Sequence, residues 1–171
     1  AVELAPGFVP ARSNLALVLY RQGRAEEAIA QLDTLLDRDP DDLGAANLKA
    51  AAAGRIGDYD EAVALYEMVL KARPDHEKLW LSYGHVLKTV GRREDSVAAY
   101  RKAVELKVDY GEAYWSLANL KTVRFSDDEL ALMEEQLARS DISDEDRFHL
   151  DFALGKAFED RQSWSRSFAH Y

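Results

Sequence analysis

The chain has 171 residues, of which 47% are hydrophobic and 31% charged, a globular composition that excludes wholesale disorder. Its 31 acidic and 22 basic side chains leave a formal net charge of −9, whereas nucleic acids and anionic membranes call for a basic face. Cysteine is absent, which excludes disulfide scaffolds, zinc–thiolate sites, iron–sulfur clusters and cysteine nucleophiles.

In chain order, the dominant pattern is a repeat. Gly23, Gly57 and Gly91 are spaced by 34 residues, as are Pro6, Pro40 and Pro74, with Val108 where a fourth proline would fall. Ala28, Ala62 and Ser96 keep the same step, and so do Leu32, Tyr66 and Tyr100. The units run 9–42, 43–76, 77–110 and 111–143, followed by a truncated unit at 144–171. Residues 1–8 match the end of a unit and are read as the tail of an earlier one. Neither end carries the polar cap that a stack of repeats requires, so the sequence is read as part of a longer protein.

Each unit predicts two helices, because its apolar residues recur at helical spacing. The first predicts helices over 10–22 and 25–38, broken at Gly23, and the second over 43–56 and 59–72, broken at Gly57. Glycine tolerates the left-handed conformation that ends a helix, and proline stops the second helix of each pair. Ala28, Ala62 and Ser96 are small enough to let paired helices approach. Lys49 falls on a core face, where it is expected to snorkel past Ala50–Ala53 to water, a functional buried lysine being the alternative.

The third unit predicts helices over 77–90 and 93–107, with Trp80, Tyr83, Gly84 and Leu87 on one face of the first. The fourth, at 111–123 and 126–139, departs from the pattern. Phe125 replaces the glycine, Leu130 the small residue, and Ser126 with Glu129 supplies a capping box, so this second helix is expected to pack at a different angle. Asp141–Asp146 lacks the glycine and ligand spacing of a calcium loop and reads as a helix start capped by Ser143. The last helices are predicted at 144–161 and 163–171, the second exposing Phe168 and Tyr171. Tyr59, Tyr66, Tyr100 and Trp164 are expected to be packing residues.

The 34-residue pattern, with Trp, Leu-Gly and Tyr on a first helix and then a small residue, an aromatic and proline, resembles the tetratricopeptide repeat. That resemblance implies an all-α, right-handed superhelix of antiparallel helix pairs, an α-solenoid whose first helices line a concave surface for peptides or partner domains. A second resemblance rests on Arg124–Glu129, Asp146-Arg147, Phe152–Ala157 and Ser167–Tyr171, which are similar to the repeat region of bacterial tetratricopeptide-repeat sulfotransferases. In those proteins the repeats precede a domain that uses a phosphosulfate nucleotide. That domain and its phosphate loop are absent here, so no catalytic residue carries over.

No chemistry is legible in the chain itself. His76, His85, His149 and His170 are scattered, and there is no His-Glu-x-x-His motif, nucleophile elbow or Walker loop. No catalytic, metal or cofactor-binding residue is therefore assigned, and no cofactor is expected. The expected role is a non-catalytic interaction scaffold in the cytoplasm. Its alternative is a substrate-docking or regulatory arm of a sulfotransferase lying C-terminal to these residues. Neither nucleic acid nor membrane is expected as a partner.

In the resemblance, inward-pointing positions fall on Tyr20, Arg21, Asn47 and Arg55, then on Lys78, Leu81, His85 and Lys88. Glu112, Trp115 and Asn119 follow in the fourth unit, and Phe152, Lys156, Glu159 and Asp160 in the fifth. The expected groove is basic in its first half and partly aromatic. It suits an acidic peptide or carboxylate held by Arg55, Lys78 and Lys88, or a C-terminal domain of the same polypeptide. Ser13 and Leu17 stand where chaperone-binding relatives have Lys and Asn, so binding of chaperone tails is not expected.

Overall fold

The computed structural model describes residues 9–171. The expected helix remnant at the start, residues 1–8, lies outside the described residues. Ten helices follow one another with no strand among the described residues: α1 Val9–Arg21, α2 Ala25–Leu36, α3 Leu43–Ile56, α4 Tyr59–Ala72, α5 Glu77–Thr89, α6 Arg93–Leu106, α7 Gly111–Ala118, α8 Asp127–Ala138, α9 Asp144–Asp160 and α10 Trp164–Ala169. Gly23, Gly57 and Gly91 all have positive φ, between 81° and 90°, at the turns where the repeat places them. The chain forms two compact units. One comprises residues up to Asp75 together with His85–Gly91, and the other comprises His76–Gly84 and Arg92–Tyr171.

In the first unit α1 packs on α2, α2 on α3 and α3 on α4. Ala28 and Ala62 are both fully buried, so the small side chains stand where paired helices meet. Ala16, Leu32, Leu35 and Ala45 form a core cluster with Leu36 and Leu48 against it. Lys49 corrects the sequence expectation. Its ammonium does not run out to bulk water but sits 2.6 Å from both Asp33 Oδ1 of α2 and Glu61 Oε1 of α4. Burial opposes its charge, yet the hydrogen bonds to Asp33 and Glu61 prevail and raise its pKa.

The second unit has the larger core, built around Tyr100, Tyr114, Leu117, Met133, Leu150, Leu154 and Phe158. At Gly84 a Cβ would come within 2.5 Å of the Tyr100 ring, so glycine is what lets α5 and α6 close together. Ser96 stands at the small position and satisfies its buried hydroxyl by donating to the Gly84 carbonyl at 2.9 Å.

Two sequence expectations fail here. α7 ends at Ala118 instead of continuing to 123. Leu120, Val123 and Phe125 turn into the core, and Lys121 takes φ 57°, the left-handed conformation that glycine supplies elsewhere. Burying three apolar side chains outweighs the lost helical turn. Trp164, expected in packing, is 63% exposed. Phe168 and Tyr171 are exposed, as expected.

The acid-rich connector resolves into helix capping. Ser126 and Glu129 form the capping box on α8, and Ser143 caps α9 by accepting from the Asp146 N–H. Asp146 also reaches across: Oδ1 accepts from the Gly111 N–H at 3.0 Å, and Oδ2 takes Lys107 Nζ at 2.8 Å and Ser143 Oγ at 2.9 Å. The start of α7 is thereby tied to the start of α9. Arg147 donates to the carbonyls of Leu137 and Arg139 and so closes the C-terminus of α8. Residues that carried the sulfotransferase resemblance thus have structural work within the unit.

Candidate functional site

Within the first unit the structure brings together Tyr20 and Arg55. The Arg55 guanidinium lies over the Tyr20 ring, 5.3 Å from its centroid, and donates from Nη1 to the Tyr20 carbonyl at 3.2 Å. This spends one donor on the α1 C-terminus, a favourable place for a cation, and leaves an exposed guanidinium with further N–H groups. Arg21 ends α1 and is exposed; Asn47 is half-buried on α3. His85 and Lys88 are exposed on the last turns of α5. Gly54 of α3 faces Val86, whose Cγ2 would lie 3.6 Å from an added Cβ, so these α5 turns pack on the end of α3. Arg21 and Lys88 form no ion pair among the described residues.

A cavity of about 230 Å³ opens beside this group, lined by Gly23–Glu27, Arg55 and Ile56. Its charges are largely answered internally, since Arg24 holds Glu27 at 2.6 Å through two hydrogen bonds. Of the expected groove residues only Arg55 reaches it.

Four expected site residues belong to the second unit. Lys78 is exposed on the first turn of α5 and has no ion-pair partner among the described residues. Leu81 is only 5% exposed and lies in the core cluster, so it presents no side chain to a ligand. Asn119 is the C-cap residue of α7 rather than part of a helix face, a consequence of the early helix end. Trp115 is half-buried and packs edge-on against Phe152, with centroids 5.6 Å apart.

Phe152 also meets Phe148 at 4.6 Å and Tyr171 at 5.6 Å. The inward register had marked Trp115 and Phe152, but not Phe148 or Tyr171. The i, i+4 spacing of Phe148 and Phe152 on one helix was the available signal. Lys156, one turn beyond Phe152, is held by Glu159 at 3.2 Å and Asp160 at 3.1 Å.

No group of three or more His, Asp or Glu residues among the described residues is placed to hold a metal. His170 pairs with Asp151 at 3.0 Å and stacks on Phe158, a packing arrangement within the unit. No helix among the described residues is long and apolar enough to cross a membrane.

Two sequence models of the tetratricopeptide repeat match the chain, over residues 13–77 and 57–120. The protein FlbA of Caulobacter vibrioides is 27% identical over 177 residues, covering 99% of this chain and 30% of FlbA. The peroxisomal targeting signal receptor of Eremothecium gossypii is 33% identical over 61 residues, covering 36% of this chain and 11% of the receptor. The chain thus spans less than a third of either relative. Among solved structures, YrrB, described as a TPR protein with an unusual peptide-binding site, superposes with a TM-score of 0.69 at 20% identity, covering 99% of this chain and 86% of YrrB. MamA from Desulfovibrio magneticus gives a TM-score of 0.69 at 20% identity, covering 95% of this chain and 90% of MamA. At that identity the structures establish the fold. Nothing in these matches points to a sulfotransferase.

Proposed function

Because the chain belongs to the tetratricopeptide-repeat family, we propose that it is a non-catalytic interaction scaffold that binds a peptide or a partner domain on the faces of its first helices. The observation that carries this reading is the set of exposed cations on those helices. Arg21 and Lys88 in the first unit and Lys78 in the second have no ion pair, although the chain carries a net charge of −9 and could have paired them. Arg55 is held at a fixed place against Tyr20. The peptide-binding site named for YrrB is consistent with the reading.

The ligand that suits the first unit is an acidic peptide segment, taken by charge-assisted hydrogen bonds from Arg55 and Lys88. No feature of the described residues favours the docking arm of a sulfotransferase over a free scaffold. The test is a titration with a fluorescein-labelled peptide of alternating Glu and Leu. Arg55→Glu combined with Lys88→Glu should weaken binding about tenfold or more. Equal binding by wild type and variant would remove these two residues from the site.

A further inference from the structure

The second unit carries a surface of the opposite character. Trp115, Phe148, Phe152 and Tyr171 form a continuous aromatic row across α7, α9 and the segment after α10, with Phe152 touching the other three rings at centroid distances of 4.6–5.6 Å. The row is open at Phe148, within α9, which is 58% exposed. The rings are held by one another and by their helices, so little side-chain freedom remains to be lost on binding. Exposed clusters of large apolar side chains on a folded chain mark interaction surfaces.

The charges around the row say what would cover it. Asp144 and Glu145 lie one turn before Phe148 on α9 and have no ion-pair partner among the described residues. Glu159 and Asp160 lie beyond Phe152 and already neutralise Lys156. Residues 107–171 contain 14 Asp and Glu against eight Lys and Arg. All of those cations but Lys121 are held on carboxylates or carbonyls within the unit. Around the aromatic faces the carboxylates thus outnumber the cations, and Asp144 and Glu145 beside Phe148 are left without an ion pair among the described residues. A ring face attracts a guanidinium or ammonium, and a carboxylate nearby strengthens that preference.

We propose that the aromatic row of α7 and α9 docks an arginine- or lysine-bearing peptide segment of a partner protein, with its cations over the ring faces and against the flanking carboxylates, and its apolar side chains against Phe148 and Phe152. This deepens the scaffold reading and rests on it, but it uses residues separate from Arg55 and Lys88. Nucleic acid does not fit, because its phosphates would meet the same carboxylates.

The test is fluorescence anisotropy with a labelled peptide of alternating Arg and Leu, set beside counterparts with Glu or Ser in place of Arg. The Arg peptide should bind the wild-type protein in preference to the Ser counterpart and weaken with added salt, and in the Arg55→Glu, Lys88→Glu variant it should also bind in preference to the Glu counterpart. Phe148→Ala, at an exposed position, should weaken it about fivefold while circular dichroism shows an unchanged helical fold. Asp144→Asn with Glu145→Gln should flatten the salt dependence. Arg55→Glu with Lys88→Glu should leave Arg-peptide binding in place. Were that last pair alone to abolish it, the cationic segment would belong to the other face. Absence of Arg-peptide binding, equal binding of the Ser counterpart, or an unchanged affinity in Phe148→Ala would each overturn the proposal, even if the acidic peptide still bound the first unit. Self-association of the protein, seen by ultracentrifugation and lost in Phe148→Ala, would also overturn it in favour of a second copy as occupant.

Discussion

Replacing Lys49 by methionine isolates the charge at the centre of the first unit while keeping an apolar stem of similar length. The ammonium is 2.6 Å from both Asp33 Oδ1 and Glu61 Oε1, so the two oxygens lie no more than twice that distance apart. The Lys49 side chain is 14% exposed, against 47% for Asp33 and 35% for Glu61. The site is thus neither a solvated surface pair, worth about 0–1 kcal/mol, nor a fully buried one, where removing a partner costs about 3–5 kcal/mol. Without the lysine, two carboxylates face each other with access to water, and their repulsion in a water-like dielectric is about 1 kcal/mol. Adding the lost pairing gives an expected destabilisation of about 1–3 kcal/mol at pH 7.

Urea unfolding followed by circular dichroism reads this as a lower midpoint with an unchanged slope. At the alkaline end the folded pKa of Lys49 is raised. Its contribution is therefore complete below the unfolded value near 10.5 and disappears as pH rises through the folded value, in wild type but not in the variant. Converting all three residues, as Lys49→Met with Asp33→Asn and Glu61→Gln, should recover part of the loss because no charge is left unpaired. A Lys49→Met protein as stable as wild type at pH 7 would refute the bridging role.

Asp146→Ala removes the acceptor shared by Lys107, Gly111 and Ser143 and should destabilise the second unit by about 2–4 kcal/mol. Burial disfavours the Asp146 charge, but the hydrogen bonds from Lys107, Ser143 and the Gly111 N–H prevail and hold its carboxyl below the usual value. This stabilisation is present above pH ~4 and lost as pH falls through the lowered folded pKa, so an acid titration of stability should be flatter in Asp146→Ala than in wild type. Gly84→Ala places a methyl 2.5 Å from a Tyr100 ring carbon and should cost about 1–3 kcal/mol in thermal unfolding, through overpacking between α5 and α6. The Tyr114 hydroxyl is buried and has no hydrogen-bond partner among the described residues, so Tyr114→Phe should leave the unfolding midpoint unchanged or raise it by about 1 kcal/mol of stability.

The helix pairs were legible because the repeat states each one several times: glycine at 23, 57 and 91 marks the break, and a small residue five positions later marks the contact. The capping of α8 and α9 was also legible, since Ser126 with Glu129 and Ser143 with Asp146 are local in sequence. What failed was decided by distant partners. The early end of α7 follows from burial of Leu120, Val123 and Phe125 in the second unit's core, a gain that helical periodicity does not register. The environment of Lys49 depends on carboxylates brought from α2 and α4, 16 and 12 residues away in sequence. At the candidate site, register alone marked Arg55, Trp115 and Phe152 but also Leu81, which the core claims. Position on a helix says which way a residue starts out; whether it remains accessible depends on what packs over it.

The central claim is that the faces of the first helices receive a protein partner. It is tested most directly by placing a photo-cross-linking residue at Lys88 on α5 or at Lys71 on α4, both exposed and in the same unit, in the protein expressed in its own host. The account predicts a discrete protein adduct from position 88 and none from position 71. Equal adducts from the two positions, or none from position 88, would contradict it.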